Sequence, residues 1–517
     1  MTSRHYDVVV LGRTLGALSA AALLARRDFR VLVVGQAQRP PSYRFENRTL
    51  RRRAFTFLGA SCPAWRRLLH ELAQTQSFKR KVRSLDPMFA VLGDGFRLEV
   101  PPSLELFARE IDREFPEVRQ VVDEMYSTFA TVNAVADTAF ERDAVWPPGT
   151  FWERIETNRI AATLPLGESD AEAVLGKFPV GHPYRDVTMW PALFASDLAP
   201  FGSPLPSFAL ARLHGAWTRG VHALPRGEDD LEGFLIERIL AHGGECRLDA
   251  RATSVVVRGR GVSGIVEDGH DTPTSADSVI VDMPGEELAE LARGEGITKS
   301  AERDWPRVTA LAGRFVVSLV VKTKGLPEPL AEESLVMPKK VSRPDPRRLV
   351  VRLQRSDRHD PDHPDETLLV AEALVPKRGS LTLLEARQSI LGTLSEQLPF
   401  LDENLVLVDS PHDGLPLYDH TSGVRREIDR IHLTESAPSP EPMQRLWSSE
   451  PPGFFRLAGE PIRGPIQGTF LVGTTVLPAL GQEGQLIAAL GAARLITKKD
   501  GSRQKMRREM WTKIETG

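Results

Sequence analysis

Residues 12–17, Gly12-Arg13-Thr14-Leu15-Gly16-Ala17, have the types and spacing to hold an anion. An apolar run at 6–11 precedes them, an alanine-rich stretch to Arg27 follows, and 29–34 is apolar again. That order reads as strand, turn, helix, strand. A helix begun in this way points unpaired N–H groups and the positive end of its dipole at a phosphate, so a dinucleotide is the first ligand expected. Gly12 supplies the tight turn and Ala17 is small enough for helix-to-strand packing, but Thr14 stands where glycine lets the backbone approach a pyrophosphate. Further on, where an acid ordinarily takes the ribose hydroxyls, the strand ends in Gly35-Gln36. A charge-assisted hydrogen bond worth roughly 1.5–3 kcal/mol is missing there. The alternative is a βαβ unit kept for packing alone.

The elements that must position this turn are spread along 517 residues, enough for two or three domains. A net charge of −3, with no surface of interleaved aromatic and basic residues, argues against nucleic acid as a partner. Two cysteines, Cys62 and Cys246, are too few for a disulfide framework and suit a reducing compartment. No apolar run approaches the length of a membrane span and no leader precedes the first strand, so a cytoplasmic protein is expected.

Two later blocks complete the pattern. Residues 220–291 read as Gly-Val-His-Ala-Leu-Pro-Arg-Gly, an amphipathic helix at 229–242, a Gly243-Gly244 turn, strands at 245–248 and 254–258, a hairpin through 261–267, and a buried strand at 278–282. Near the end, 468–473 is a strand, 481–484 a glycine turn and 485–496 an alanine-rich helix. In this order the blocks resemble the superfamily of flavin-dependent phytoene desaturases, carotenoid isomerases and amine oxidases, over nearly the whole chain. The resemblance implies an α/β fold, with a discontinuous Rossmann-like FAD/NAD(P)-binding domain and an α+β substrate domain built on an antiparallel sheet. It implies a nucleotide domain of 1–77, 218–300 and 455–497, a substrate domain of 78–217 and 301–454, and a basic tail at 498–517.

Carried over by position, the resemblance implies that Gly12, Leu15 and Gly16 line the FAD diphosphate, that Val255 offers backbone groups to the adenine, and that Gly473, Glu483 and Gly484 lie near the ribitol and flavin. Thr14, Gln36 and Thr474 occupy cofactor positions with changed residue types. A Gly-Gly-Arg segment expected after the second strand is replaced by Arg48, Arg51, Arg52 and Arg53. Those arginines read as a solvated face, as a phosphate fork, or as a 2′-phosphate site that makes NADP the lesser alternative to FAD.

The insertions carry no catalytic motif, and no acid, base or nucleophile is singled out. Trp190, Phe194, Phe201 and Phe208 either line a lipid-sized cavity or form an interface. The loop at 359–365 has the composition of a metal cluster without ligand spacing, so no metal is expected. Met506, Met510 and Ile514 share a helical stripe beside seven basic residues of the tail, which suits peripheral contact with an anionic membrane. The leading expectation is an FAD-dependent oxidoreductase acting on an extended apolar substrate, polyene or isoprenoid, by hydride transfer or isomerisation. The rival is a cofactor-free scaffold acting as a lipid carrier or interaction partner.

Overall fold

Strands covered on both faces need apolar side chains at almost every position, and the continuous apolar runs become such strands. The computed structural model describes residues 5–500 apart from 168, 203, 271, 341–344, 346, 357–361, 380, 431–439 and 452. His5–Leu11 pairs in parallel with Val31–Val34 on one side and Thr274–Val281 on the other. Glu245–Arg247 extends the sheet beyond Val31–Val34, and Thr469–Leu471 extends it beyond Thr274–Val281, both again parallel. The hairpin of Ala252–Arg258 and Gly261–Glu267 joins antiparallel to the start of Thr274–Val281. Segments hundreds of residues apart thus share one Rossmann-like sheet, and the α/β class is as the sequence implies.

Helices Leu15–Arg26 and Gly481–Thr497 pack against each other beside this sheet, their small alanines allowing close approach. At the start of the first helix, Gly16 lies against the chain just past Thr469–Leu471: a Cβ there falls 2.1 Å from the carbonyl oxygen of Val472. Only glycine fits at that point.

The second sheet has ten strands and is antiparallel except where Glu333–Val336 meets Phe89–Gly93. Its longest strand, Arg307–Lys322, pairs with Glu366–Pro376 along one edge. Along the other edge it meets Leu405–Asp409 and Gln444–Glu450. Among the described residues no helix is long and apolar enough to cross a membrane.

Two stretches whose reading the sequence leaves open take definite form. Residues 183–208 are mostly helical, in Pro183–Ala195 and Ser207–Thr218. Pro183 opens its helix, where its missing N–H costs nothing. Phe208 is core, Phe201 is exposed, and Trp190 packs near Phe194 with ring centroids 6.0 Å apart. The arginine cluster is also not a solvated face. It lies on and just after the hairpin Ser42–Phe45 with Arg48–Arg51, and Arg48, Arg51, Arg52 and Arg53 are bound by Glu366, Asp229, Glu441 and Glu228 respectively. Those carboxylates come from several distant segments, which the sequence does not place beside the hairpin. The loop at 359–365 lies partly, and the tail beyond 500 wholly, outside the described residues.

Candidate functional site

Parallel strands end at one edge, so the residues just past Leu11, Val34, Val281 and Leu471 converge there. A cavity of about 810 Å³ opens between that edge and the antiparallel sheet. The parallel-sheet unit contributes Thr14, Leu15, Gln36, Gln38, Ala252, Thr253, Asp282 and Thr474. From the other side come Phe194, Asp197, Arg314, Arg352, Glu372 and Trp447.

At the turn, Gly12 has φ +115°, a conformation that L side chains rarely adopt. Thr14 caps helix Leu15–Arg26, its hydroxyl accepting from the Ala17 N–H at 3.5 Å. The Arg13 N–H donates to Gln38 Oε1 at 3.2 Å, and the Thr14 N–H donates to Asp282 Oδ2 at 3.2 Å. Gln38 Nε2 lies 3.4 Å from each oxygen of that same carboxylate. Burial pushes the Asp282 carboxyl above the usual range, against the Thr14 and Gln38 hydrogen bonds, which lower it. The Arg13 guanidinium is held by Glu232 and by the carbonyl of Gln38. At the nucleoside position, Gln36 Oε1 accepts from the Ala252 N–H at 2.9 Å.

On the opposite wall, Asp197 is buried, with its two oxygens taking the amides of Gln444 at 3.4 Å and Gln485 at 3.3 Å. Burial pushes it up to about 6, partly opposed by the Arg314 charge and these two amides. Arg314 donates to Glu372 at 2.9 Å and to the Ser196 carbonyl at 2.7 Å. Arg352 lies 3.6 Å from Glu372 and 3.4 Å from Glu333. Trp447 Nε1 donates to Thr474 Oγ1 at 2.8 Å.

Of the positions singled out in the sequence, Thr14, Leu15, Gln36 and Thr474 face this cavity and Gly12 lies against Asp282. Five others do not line it, among them Gly16, which packs on the Val472 carbonyl. Val255 is buried opposite Ile265 within the hairpin, and Ala252 and Thr253 at the start of that strand line the cavity instead. Glu483 is committed to Arg212, with Oε2 at 3.0 Å from Nε. Gly473 and Gly484 are packing positions, where a Cβ lies 2.1 Å from the Asp282 carbonyl oxygen and 2.4 Å from that of Leu477. Sequence reasoning missed Asp197, Ala252 and Asp282. For Asp282 a signal existed, because an acid directly after a buried parallel strand falls at the ligand-binding edge.

Residues 10–72 match the NAD(P)-binding Rossmann-like domain family. No curated protein matches the sequence. Among solved structures, an oxidoreductase from Methanosarcina mazei is similar with a TM-score of 0.55 at 15% identity, over 95% of this chain and 99% of that one. A Pyrococcus furiosus protein gives 0.54 at 14%, over 95% and 97%. A putrescine oxidase variant from a redesign of cofactor binding gives 0.56 at 15%, over 96% and 100%. The likeness covers nearly the whole chain, and the chain shares the overall fold of these proteins.

Proposed function

We propose that this chain is an FAD-dependent oxidoreductase whose cofactor lies along the cavity between the two sheets. The observation that carries the reading is the continuity of one cavity from the glycine turn to the buried Arg314, Arg352 and Glu372 cluster. A dinucleotide fits part of the donor set: the Leu15 and Gly16 N–H groups at the helix start meet no acceptor among the described residues. Gln36, Gln38, Ala252 and Thr253 are placed for a nucleoside, and Thr474, Gln482 and Gln485 for the other half. FAD, when bound, supplies hydride acceptance at its ring. Asp197, poised to about 6, is suited to hold or take up a proton beside a substrate. Leu58, Phe55 and Phe194 help to exclude water.

The substrate favoured by this wall is polar and not the polyene that the family resemblance implies. Seven arginines and six acidic residues line the cavity, and covering them with a hydrocarbon forfeits their hydration without replacement. A cofactor-free scaffold is the second reading, favoured by Thr14 and by the carboxylate already seated on its N–H.

The test is thermal unfolding with added FAD and, separately, NADP. Ligand at about a hundred times its Kd stabilises the folded state by roughly 2.7 kcal/mol, which raises the melting temperature measurably. A rise with FAD together with flavin absorbance that bleaches on reduction is the expected result. Absence of any rise with either nucleotide at millimolar concentration leaves the scaffold reading.

A further inference from the structure

Strands His5–Leu11 and Thr274–Val281 run in parallel with Leu11 opposite Val281, so Gly12 and Asp282 leave the sheet side by side. The Asp282 N–H donates to the Leu11 carbonyl at 3.1 Å, which fixes its backbone there. Its side chain then lies directly over Gly12: a Cβ on that glycine falls 2.0 Å from the Asp282 Cγ. The carboxylate reaches the Thr14 N–H at 3.2 Å, and Gln38 closes the clasp from the other side. This is where helix Leu15–Arg26 begins, so the positive end of its dipole faces a carboxylate supplied by the chain itself.

Two observations separate this arrangement from ordinary capping. The helix already has its cap in the Thr14 hydroxyl. Asp282 also has no cationic partner among the described residues, since the nearby Arg13 guanidinium is taken by Glu232 and the Gln38 carbonyl. A diphosphate seeking the neighbouring Leu15 and Gly16 N–H groups meets a like charge already seated on the Thr14 N–H, at the wall of the cavity.

We infer that Asp282 is a resident anion in the phosphate position of the glycine turn, so that a diphosphate-bearing nucleotide binds only by exchange with this carboxylate. The inference rests on the dinucleotide reading of the cavity and adds the residue that sets its affinity. It also accounts for glycine at position 12, where the side chain of Asp282 fills the space a Cβ would take.

The experiment is calorimetric titration of FAD, ADP and adenosine into the full chain and into Asp282→Asn and Asp282→Ala, with melting temperatures confirming that each variant is folded. The asparagine keeps the shape and removes the charge; the alanine removes both. At least tenfold tighter binding of FAD and ADP by both variants, with adenosine unchanged, is the expected result. Equal FAD affinity in all three proteins overturns the role of Asp282 while leaving the dinucleotide reading intact, as does weaker binding by the variants. Equal tightening of adenosine overturns it too, because a merely enlarged cavity accounts for that. If folded Asp282→Ala binds neither FAD nor ADP, both the inference and the dinucleotide reading fall.

Discussion

Asp197 shows how one buried carboxyl ties the site to stability. The folded chain holds its proton up to about pH 6, above the ordinary 3.8, because burial penalises the charged form. A raised carboxyl contributes stability that is fully present below the unfolded value and is lost as the pH rises through 6. That loss amounts to roughly 2 kcal/mol between pH 4 and 8. Asp197→Asn removes the titration, and either glutamine amide can turn its carbonyl toward the new N–H₂. Urea midpoints at several pH values are expected to fall less steeply toward pH 8 in the variant than in the wild type; parallel curves count against this assignment. The sequence made Thr14, Leu15, Gln36 and Thr474 legible because each occupies a fixed offset within a local strand-turn-helix pattern. Asp282 also stands at a fixed offset, directly after a buried parallel strand, but the glycine turn beside it is set by sheet order. Asp197 follows helix Pro183–Ala195 at no such offset, and its role arises from the distant Gln444 and Gln485 that meet it.

Among the elements, helix Leu383–Gln397 announces itself in the sequence through Thr382 and Glu385, which form a capping box at its start. What fastens it to the sheet is less visible. Arg387 is fully buried and holds Asp413 through two hydrogen bonds of 2.7 and 2.8 Å, with a third to the Pro416 carbonyl at 2.9 Å. The same blindness hid the fate of the arginines at 48–53, since local composition reports charge but not the distant carboxylate that answers it. Removing one partner of a buried pair leaves the other charge unsatisfied, a cost of about 3–5 kcal/mol. Arg387→Ala is therefore expected to lower the urea midpoint sharply. Arg109→Ala breaks a solvent-exposed pair with Glu105 one turn away within helix Leu104–Glu114 and is expected to leave the midpoint nearly unchanged. Equal effects of the two substitutions would show that burial is not what gives the Arg387 pair its weight.

At the scale of the molecule, the parallel sheet is assembled from segments separated by both insertions, and its completion waits for the end of the chain. Strand Thr469–Leu471 covers the outer edge of Thr274–Val281, and helix Gly481–Thr497 lies against Leu15–Arg26. Leu486, Ile487, Leu490, Leu495 and Ile496 of that helix are all buried. Burying each such side chain contributes about 1.5–3 kcal/mol. Together these five rival the whole stability of a typical domain, about 5–15 kcal/mol. A chain ending at residue 454 also exposes an edge of the sheet, with unpaired backbone groups that invite association. The expected outcome is a truncated protein with no cooperative urea transition and a tendency to aggregate, while a co-expressed fragment of 455–517 restores the transition by supplying the missing strand and helix. Urea unfolding followed by circular dichroism and by tryptophan fluorescence makes the comparison. A cooperative transition of the truncated chain alone, coincident by both probes, would mean that the first two segments suffice for the sheet and that the last only decorates it.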